Sequence, residues 1–68
     1  MMANPDMRGE LYRGWILLPL AVDDIFFYEI HSPEGYRNYN LMPFDSPESA
    51  LDYARGEVDR IVEIFEVA

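Results

Sequence analysis

The chain has 68 residues, no cysteine, one histidine, and thirteen acidic side chains against five arginines, which gives a formal net charge of −8. This length fits one domain, and the lack of cysteine excludes disulfides, a thiol nucleophile and a zinc–thiolate site. The strong negative charge repels phosphate backbones, so we expect no nucleic-acid partner.

A hydrophobic content of 50% and an aromatic content of 15% predict a folded chain rather than a disordered acidic tail. Residues 1–8 show no periodicity and are predicted to form a flexible leader, with residues 9–68 as a single domain. The leader lacks the basic region of a secretory signal, and the apolar run Trp15–Val22 has only eight residues. Because a bilayer span needs about 20 residues, we expect a cytoplasmic protein with no membrane partner.

The first strand is predicted over residues 9–18, which are rich in Tyr, Trp, Ile and Leu. Beyond residue 14 both alternating sets of side chains are largely apolar. One face of the strand should therefore meet a helix, and the other is either covered by a partner or left exposed. Pro19 cannot donate to a strand ladder, which places it at an edge, at a bulge or at the end of the strand.

Two further strands are predicted over residues 25–31 and 36–44, and the polar pair Asp23-Asp24 separates them from the first. Between these two strands, Ser32–Gly35 reads Ser-Pro-Glu-Gly, which fits a type I turn. Two hairpins in series predict a three-stranded antiparallel meander.

One helix is predicted over residues 47–64. Ser46 is expected to cap it with Pro47 in the first helical position, and Asp45 as the cap with Glu48 in a capping box is the alternative. Apolar residues recur at helical spacing along one side of this segment: Leu51, Ala54, Val58, Ile61 and Phe65.

Several features of the helix allow two interpretations. Arg55 lies within helical reach of both Asp52 and Asp59, and Gly56 either permits a close approach to the sheet or is simply tolerated. The β-branched tail at residues 62–67 either ends the helix or forms a further strand.

The predicted fold is α+β, with the order β-β-β-α and the helix packed on one face of the meander.

The sequence predicts no catalytic, metal or cofactor site. His31, followed by Glu34, is a candidate general base, but no nucleophile or oxyanion hole is near it in the sequence. Asp23 and Asp24 lack the alternating ligands of a calcium loop. We therefore expect a protein that is not an enzyme and that needs no cofactor.

A protein interface is the favoured functional hypothesis, because one helix leaves the second face of a small sheet uncovered. The predicted interface residues are Trp15, Leu17, Phe27 and Tyr39, since aromatic residues are enriched at interface hot spots. The expected partner is another protein or a second copy of the chain as a homodimer.

The alternative hypothesis is an acidic inhibitor, similar to an antitoxin, that binds a cationic site on a nuclease or nucleic-acid-binding protein. Its binding surface would be the charged helix face, which carries Asp52, Asp59 and Glu63, with Glu48 and Glu66 near the helix ends.

The segment Phe44–Arg55 (FDSPESALDYAR) resembles the strand-to-helix junction of small bacterial β-β-β-α domains, of which HicB-like antitoxin domains are the best known. The first strand around Tyr12–Ile16 (YRGWI) and the turn Pro33–Gly35 (PEG) are similar to small uncharacterised proteins of this kind, several of them cyanobacterial. The resemblance covers residues 10–62 and implies the β-β-β-α fold, without assigning a role to any single residue.

Overall fold

The computed structural model describes residues 8–67, so the predicted leader, apart from Arg8, lies outside the described residues. Four strands precede one helix: β1 Glu10–Tyr12, β2 Trp15–Val22, β3 Ile25–His31, β4 Arg37–Phe44 and α1 Pro47–Val67. The strands form one antiparallel sheet in the order β1-β2-β3-β4. The predicted α+β architecture, an antiparallel sheet followed by one C-terminal helix, is confirmed.

The predicted number of three strands is wrong, because the segment assigned to the first strand is a hairpin. Arg13 and Gly14 have φ angles of 52° and 84°, and Tyr12 pairs with Trp15 across them. Positive φ at both positions of a two-residue loop is typical of a type I′ turn, whose twist matches that of the flanking strands. Arginine is not a residue that signals this turn, so the segment reads as a continuous strand.

Strand β2 continues through Pro19 and ends at Val22. Pairing between β1 and β2 reaches only as far as Glu10 and Leu17. Within the described residues, Pro19 therefore has a neighbouring strand on the β3 side alone. A missing N–H is tolerated at such an edge. Of the three predicted placements for Pro19, which were an edge, a bulge and the end of the strand, the edge is the observed one.

The predicted turn between β3 and β4 is confirmed. The amide of Gly35 donates a hydrogen bond to the carbonyl oxygen of Ser32 at 3.1 Å, and the amide of Tyr36 donates to Ser32 Oγ at 2.9 Å. Gly35 has a φ of 99°, so this loop is a type I turn followed by a left-handed residue, a common three-residue hairpin connection.

Helix α1 begins as predicted at Pro47, and its cap is Ser46 rather than Asp45. The amide of Ser49 donates to Ser46 Oγ at 3.1 Å, which satisfies one of the free N–H groups of the first turn. Proline fits the first helical position because its missing N–H would have no partner there.

Helix α1 ends at Val67, so residues 62–67 are helical and do not form a further strand. A helix of 21 residues is about 31 Å long, whereas a strand of 8 residues spans about 26 Å. The last turns of α1 extend past the sheet, and Ile64 and Phe65 are 66% and 74% exposed. Phe65 therefore does not share the buried position predicted for the apolar stripe.

The core lies between α1 and the sheet face that the helix covers, here called the inner face. Eight apolar residues are at most 9% exposed: Trp15, Leu17, Tyr28, Ile30, Ala50, Leu51, Ala54 and Val58. A Cβ built on Gly56 would have no atom within 4 Å. The small alanines rather than this glycine therefore lie where the helix meets the sheet.

An ion pair joins the middle of α1 to β1. Arg55 Nε and Nη2 donate to the two carboxylate oxygens of Glu10, each at 2.7 Å, and Arg55 also binds Asp52 one turn earlier in the helix. The Arg55 guanidinium lowers the pKa of the Glu10 carboxyl below its usual value. Of the two carboxylates predicted to pair with Arg55, Asp52 does so. Asp59 instead binds Tyr12 of β1 and Arg13 of the turn that follows it.

Candidate interaction surface

The sheet face opposite the inner face, here called the outer face, has no secondary-structure element of the described chain packed on it. Residues paired directly across antiparallel strands point to the same side of a sheet. Leu17 pairs with Ile30 on the inner face, so the adjacent pair Leu18 and Glu29 lies on the outer face. Over the positions that have a cross-strand partner, the same alternation places eight apolar side chains there: Leu11, Ile16, Leu18, Leu20, Val22, Ile25, Phe27 and Tyr39.

These eight side chains form a large exposed apolar surface. Six of them are between 39% and 74% exposed, and Leu18 and Phe27 are partly buried. With roughly 150–200 Å² for a large apolar side chain, the exposed part amounts to on the order of 600 Å². The largest apolar patch on a typical monomer is about 300–600 Å², and patches of this size often mark binding sites.

The charged groups of the outer face lie together on β3 and β4, in the half of the face nearer the Ser32–Tyr36 turn. Glu29 Oε2 is 3.5 Å from Arg37 Nε and 3.4 Å from His31 Nε2. Glu29 is therefore paired within its own face, with Tyr39 as its cross-strand neighbour on β4. Among the described residues, the other strand-paired positions of the outer face carry no charged side chain.

The prediction that Trp15 and Leu17 lie on the uncovered face is wrong. Trp15 is 6% exposed and Leu17 is fully buried in the core beneath α1. Phe27 and Tyr39 do lie on the outer face, where Phe27 pairs with Leu20. Leu17 and Phe27 therefore do not share a face.

The error lies in which of the two alternating sets of β2 side chains faces the helix. Because both alternating sets of β2 are apolar, the sequence pattern does not distinguish the buried set from the exposed set. The outer-face residues that the sequence prediction missed belong to the other set of the same strand: Ile16, Leu18, Leu20 and Val22. The hairpin at Arg13-Gly14 would have indicated where β2 starts, but it would not have indicated which set the helix covers.

The edges of the sheet are poorly suited to adding a strand. On one side β1 has only three residues, and Pro19 interrupts the donors of β2 beyond it. On the other side β4 is irregular where it pairs with β3 between Phe26 and Tyr28, and the amide of Met42 donates to Asn40 Oδ1 of its own strand. Proline, bulges and short strands are the usual protection of an edge against pairing, so the outer face is the better candidate for contact.

A second apolar surface, here called the end groove, lies between the last turns of α1 and the Ser32–Tyr36 turn. Its volume is about 650 Å³, and its walls include Trp15, Tyr36, Ile61 and Phe65. The rings of Trp15 and Tyr36 meet edge to face with centroids 6.0 Å apart. The groove is open, and its walls also include Ile64 of the part of α1 that extends past the sheet.

Several acidic residues of the helix are engaged with the sheet. Asp59 accepts hydrogen bonds from the Tyr12 hydroxyl, at 2.9 and 3.1 Å, and from Arg13 Nη1 at 2.8 Å. The hydrogen bond from Arg13, followed by that from Tyr12, lowers the pKa of Asp59. The same contact with Asp59 raises the pKa of the Tyr12 phenol.

Glu57 is engaged in a similar way through a tyrosine of the core. The hydroxyl of Tyr28 donates to Glu57 Oε1 at 2.9 Å and accepts from Asn40 Nδ2 at 3.1 Å. Burial, together with the bond to Glu57, raises the pKa of Tyr28 to about 12. Asp59 and Glu57 therefore stabilise the packing of helix on sheet, and with Asp52 bound to Arg55 the acidic helix face has fewer free carboxylates than its sequence suggests.

The polar residues considered as sites in the sequence lie apart from one another. His31 lies beside Glu29 on the outer face, not beside Glu34, and Asp23 occupies the two-residue turn between β2 and β3 with a φ of 57°. Within residues 8–67, no group of three or more His, Asp or Glu side chains could hold a metal ion. The helix of the described chain is not both long and apolar enough to cross a bilayer.

Comparison with known proteins adds no relative. No family model, no curated protein and no solved structure matches this chain. No similarity to a characterised protein therefore assigns a role to a residue of the outer face.

Proposed function

We propose that this protein is a non-enzymatic protein–protein interaction module of the cytoplasm whose docking surface is the outer face of its sheet. The observation that carries the proposal is the placement of eight large apolar side chains on the face that α1 leaves uncovered. Exposing this much apolar surface to water is unfavourable, and contact with a partner removes that cost.

The shape of the surface also supports docking through the face. A sheet of four strands presents a continuous, gently twisted surface, on which side chains from neighbouring strands form rows. One such row contains Leu20 and Phe27, and the next contains Val22 and Ile25. Because Pro19 and the irregular pairing of β4 interrupt the edges, a partner gains more contact on the rows than along an edge strand.

The acidic-inhibitor hypothesis is less well supported. It requires carboxylates that are free to bind a cationic site. Of the predicted surface, Asp52 is already bound to Arg55, and Asp59 is bound to Tyr12 and Arg13. The resemblance to HicB-like antitoxin domains stays a prediction. Binding by an acidic inhibitor or by an antitoxin-like protein would be strongly salt-sensitive, whereas docking through an apolar face would not.

Site-specific photo-crosslinking in the native cells tests the proposal. A photo-reactive amino acid replaces Leu20 or Ile25 on the outer face, and in a matched control it replaces Ile64, which is also exposed but lies on the overhanging helix. We expect one discrete crosslinked product from each outer-face position and none from position 64. Absence of a product from both outer-face positions would overturn the proposal.

A further inference from the structure

We infer that the occupant of the outer face is a second copy of this chain, so that two sheets pack face to face across a two-fold axis. This inference rests on the docking role proposed above and adds the identity of the partner. It follows from the distribution of charge, from the exposed area and from the shape of the face.

The distribution of charge favours a partner that is itself apolar at the contact. The chain carries thirteen acidic residues, yet the described part of the outer face has one carboxylate, Glu29, which is paired with Arg37 and lies near His31. A basic partner attracted by the net charge of −8 finds no free carboxylate among the apolar rows. The surface that best matches a largely apolar face whose one described carboxylate is already paired is another face of the same kind.

The same distribution removes the main objection to self-association. Two copies with a net charge of −8 repel each other at long range, but the acidic residues lie mainly on the turns and on α1. Packing of two outer faces places both helices on the outside of the dimer, far from the contact. The repulsion is therefore between groups exposed to solvent, which salt screens over about 10 Å.

The area of the patch is sufficient for a small stable dimer. On the order of 600 Å² from each copy gives a total near 1,200 Å², which is the lower end of the range for specific protein interfaces. The patch has an apolar part, which contains the row of Leu20 with Phe27 and the row of Val22 with Ile25. In its more polar part Glu29 lies between Leu18 and Tyr39 and is paired with Arg37. Interfaces typically combine an apolar part with a more polar one.

The shape of the face permits the contact without rearrangement. Sheets twist with a fixed hand, so two copies of one face have matching curvature and pack with strands aligned to within about 30° and layers about 10 Å apart. The dimer would then be a four-layer arrangement of helix, sheet, sheet and helix. The Asp23-Asp24 turn lies at the end of the rows, where it stays in contact with water.

Sedimentation equilibrium of the purified full chain tests the inference. We expect the wild-type protein to have twice the chain mass at micromolar concentration. Leu20→Lys places one lysine cation from each copy in the buried contact. It should therefore raise the dimer dissociation constant at least about 100-fold. Because this substitution reduces the net negative charge, added repulsion between copies would not explain the loss.

Ile64→Lys is the matched control, since it makes the same change of charge at an exposed apolar residue of the end groove. It should leave the dimer unchanged, and circular dichroism should show the same helix content in all three proteins. Raising NaCl from about 50 to 500 mM should leave the dimer unchanged or tighten it, because salt screens the repulsion between acidic copies.

Two results would overturn the inference: a wild-type protein that stays monomeric at about 100 µM, or a dimer that Ile64→Lys abolishes and Leu20→Lys does not. The photo-crosslinked product separates this failure from failure of the docking role. A product of another mass from position 20 contradicts the second copy and leaves the docking role standing, whereas absence of any product contradicts both.

Discussion

Arg55 of the helix donates two parallel hydrogen bonds to Glu10 of the first strand, from Nε and from Nη2, each 2.7 Å long. The planar guanidinium matches the two oxygens of the carboxylate, and such paired bonds are stronger than a single contact between charges. Strand β1 has only three residues, so this contact with α1 holds an element that its backbone bonds alone hold weakly.

Replacing Glu10 with Gln should lower the free energy of unfolding by about 1 kcal/mol at neutral pH, because the pair is partly exposed and partly screened by water. The measurement is urea unfolding followed by the fluorescence of Trp15. Glu34→Gln, an exposed change in the turn after β3, is the control and should have little effect.

The same contacts predict how stability depends on acid. The pKa of Glu10 is lowered mainly by its bonds to Arg55, and that of Asp59 mainly by its bond to Arg13. A carboxyl whose pKa is lower in the folded state contributes stability that is complete above roughly pH 5 and is lost as pH falls through the folded pKa. Unfolding free energy should therefore decrease from pH 5 toward pH 3, and less steeply in Glu10→Gln. An equal slope in both proteins would contradict this assignment.

Replacing Tyr28 with Phe should destabilise the fold by about 1–2 kcal/mol, because Glu57 loses its donor and Asn40 loses its acceptor. Tyr28 is 1% exposed, whereas Tyr39 on the outer face is 60% exposed. Tyr39→Phe is therefore the matched control, and its unfolding midpoint in urea should match that of the wild type under monomeric conditions.

Alkaline titration gives an independent check on Tyr28. Burial raises its pKa to about 12, so the folded state favours the neutral phenol. The resulting stability is complete below the ordinary tyrosine pKa of about 10 and is lost as pH rises through the folded value. Absorbance of tyrosinate should show one group that ionises later than the others, and Tyr28→Phe should remove that last step.

Replacing Gly56 with Ala should stabilise the protein by about 1 kcal/mol. Glycine inside a helix costs about this much relative to alanine because it loses more backbone freedom on folding. A Cβ at this position would meet nothing within 4 Å, so no clash opposes the gain. Thermal unfolding should show a higher midpoint, and a lower midpoint would mean that the helix needs a close approach at Gly56.

Two leucines on opposite faces of β2 should lose unequal amounts of stability when each is truncated to alanine. Leu17 is fully buried, and Leu17→Ala should cost about 3 kcal/mol because it leaves a cavity beneath α1. Leu20, on the outer face, is 39% exposed, and Leu20→Ala should cost less than about 1 kcal/mol. Both are measured by urea unfolding at the lowest concentration that Trp15 fluorescence allows, so that association does not contribute. Equal losses would contradict the assignment of faces.

Local features of the fold were predictable because short-range physics decides them. The helix start follows from Ser46 and Pro47, whose cap and ring geometry act within one turn. The turn at Ser32–Gly35 follows from proline and glycine at fixed positions. By contrast, the Arg13-Gly14 hairpin is not predictable from the sequence, because glycine signals a positive φ and arginine does not. The side chain of Arg13 binds Asp59 of α1, and a local sequence pattern does not show that contact.

Composition and periodicity are enough to indicate a sheet segment with more apolar residues than one buried face needs and an amphipathic helix that covers one side. They also exclude paired thiols or imidazoles. Which side of the sheet the helix covers depends on packing between distant parts of the chain. Trp15 and Leu17 alternate with Ile16 and Leu18 along β2, and both pairs are apolar, so a shift of one residue exchanges them at almost no local cost. Trp15 and Leu17 lie in the core with Ala54 and Val58. Side chains of α1 also bind Glu10, Tyr12 and Tyr28. These contacts join distant parts of the chain and form only in the observed register, so they fix which set of β2 side chains is buried.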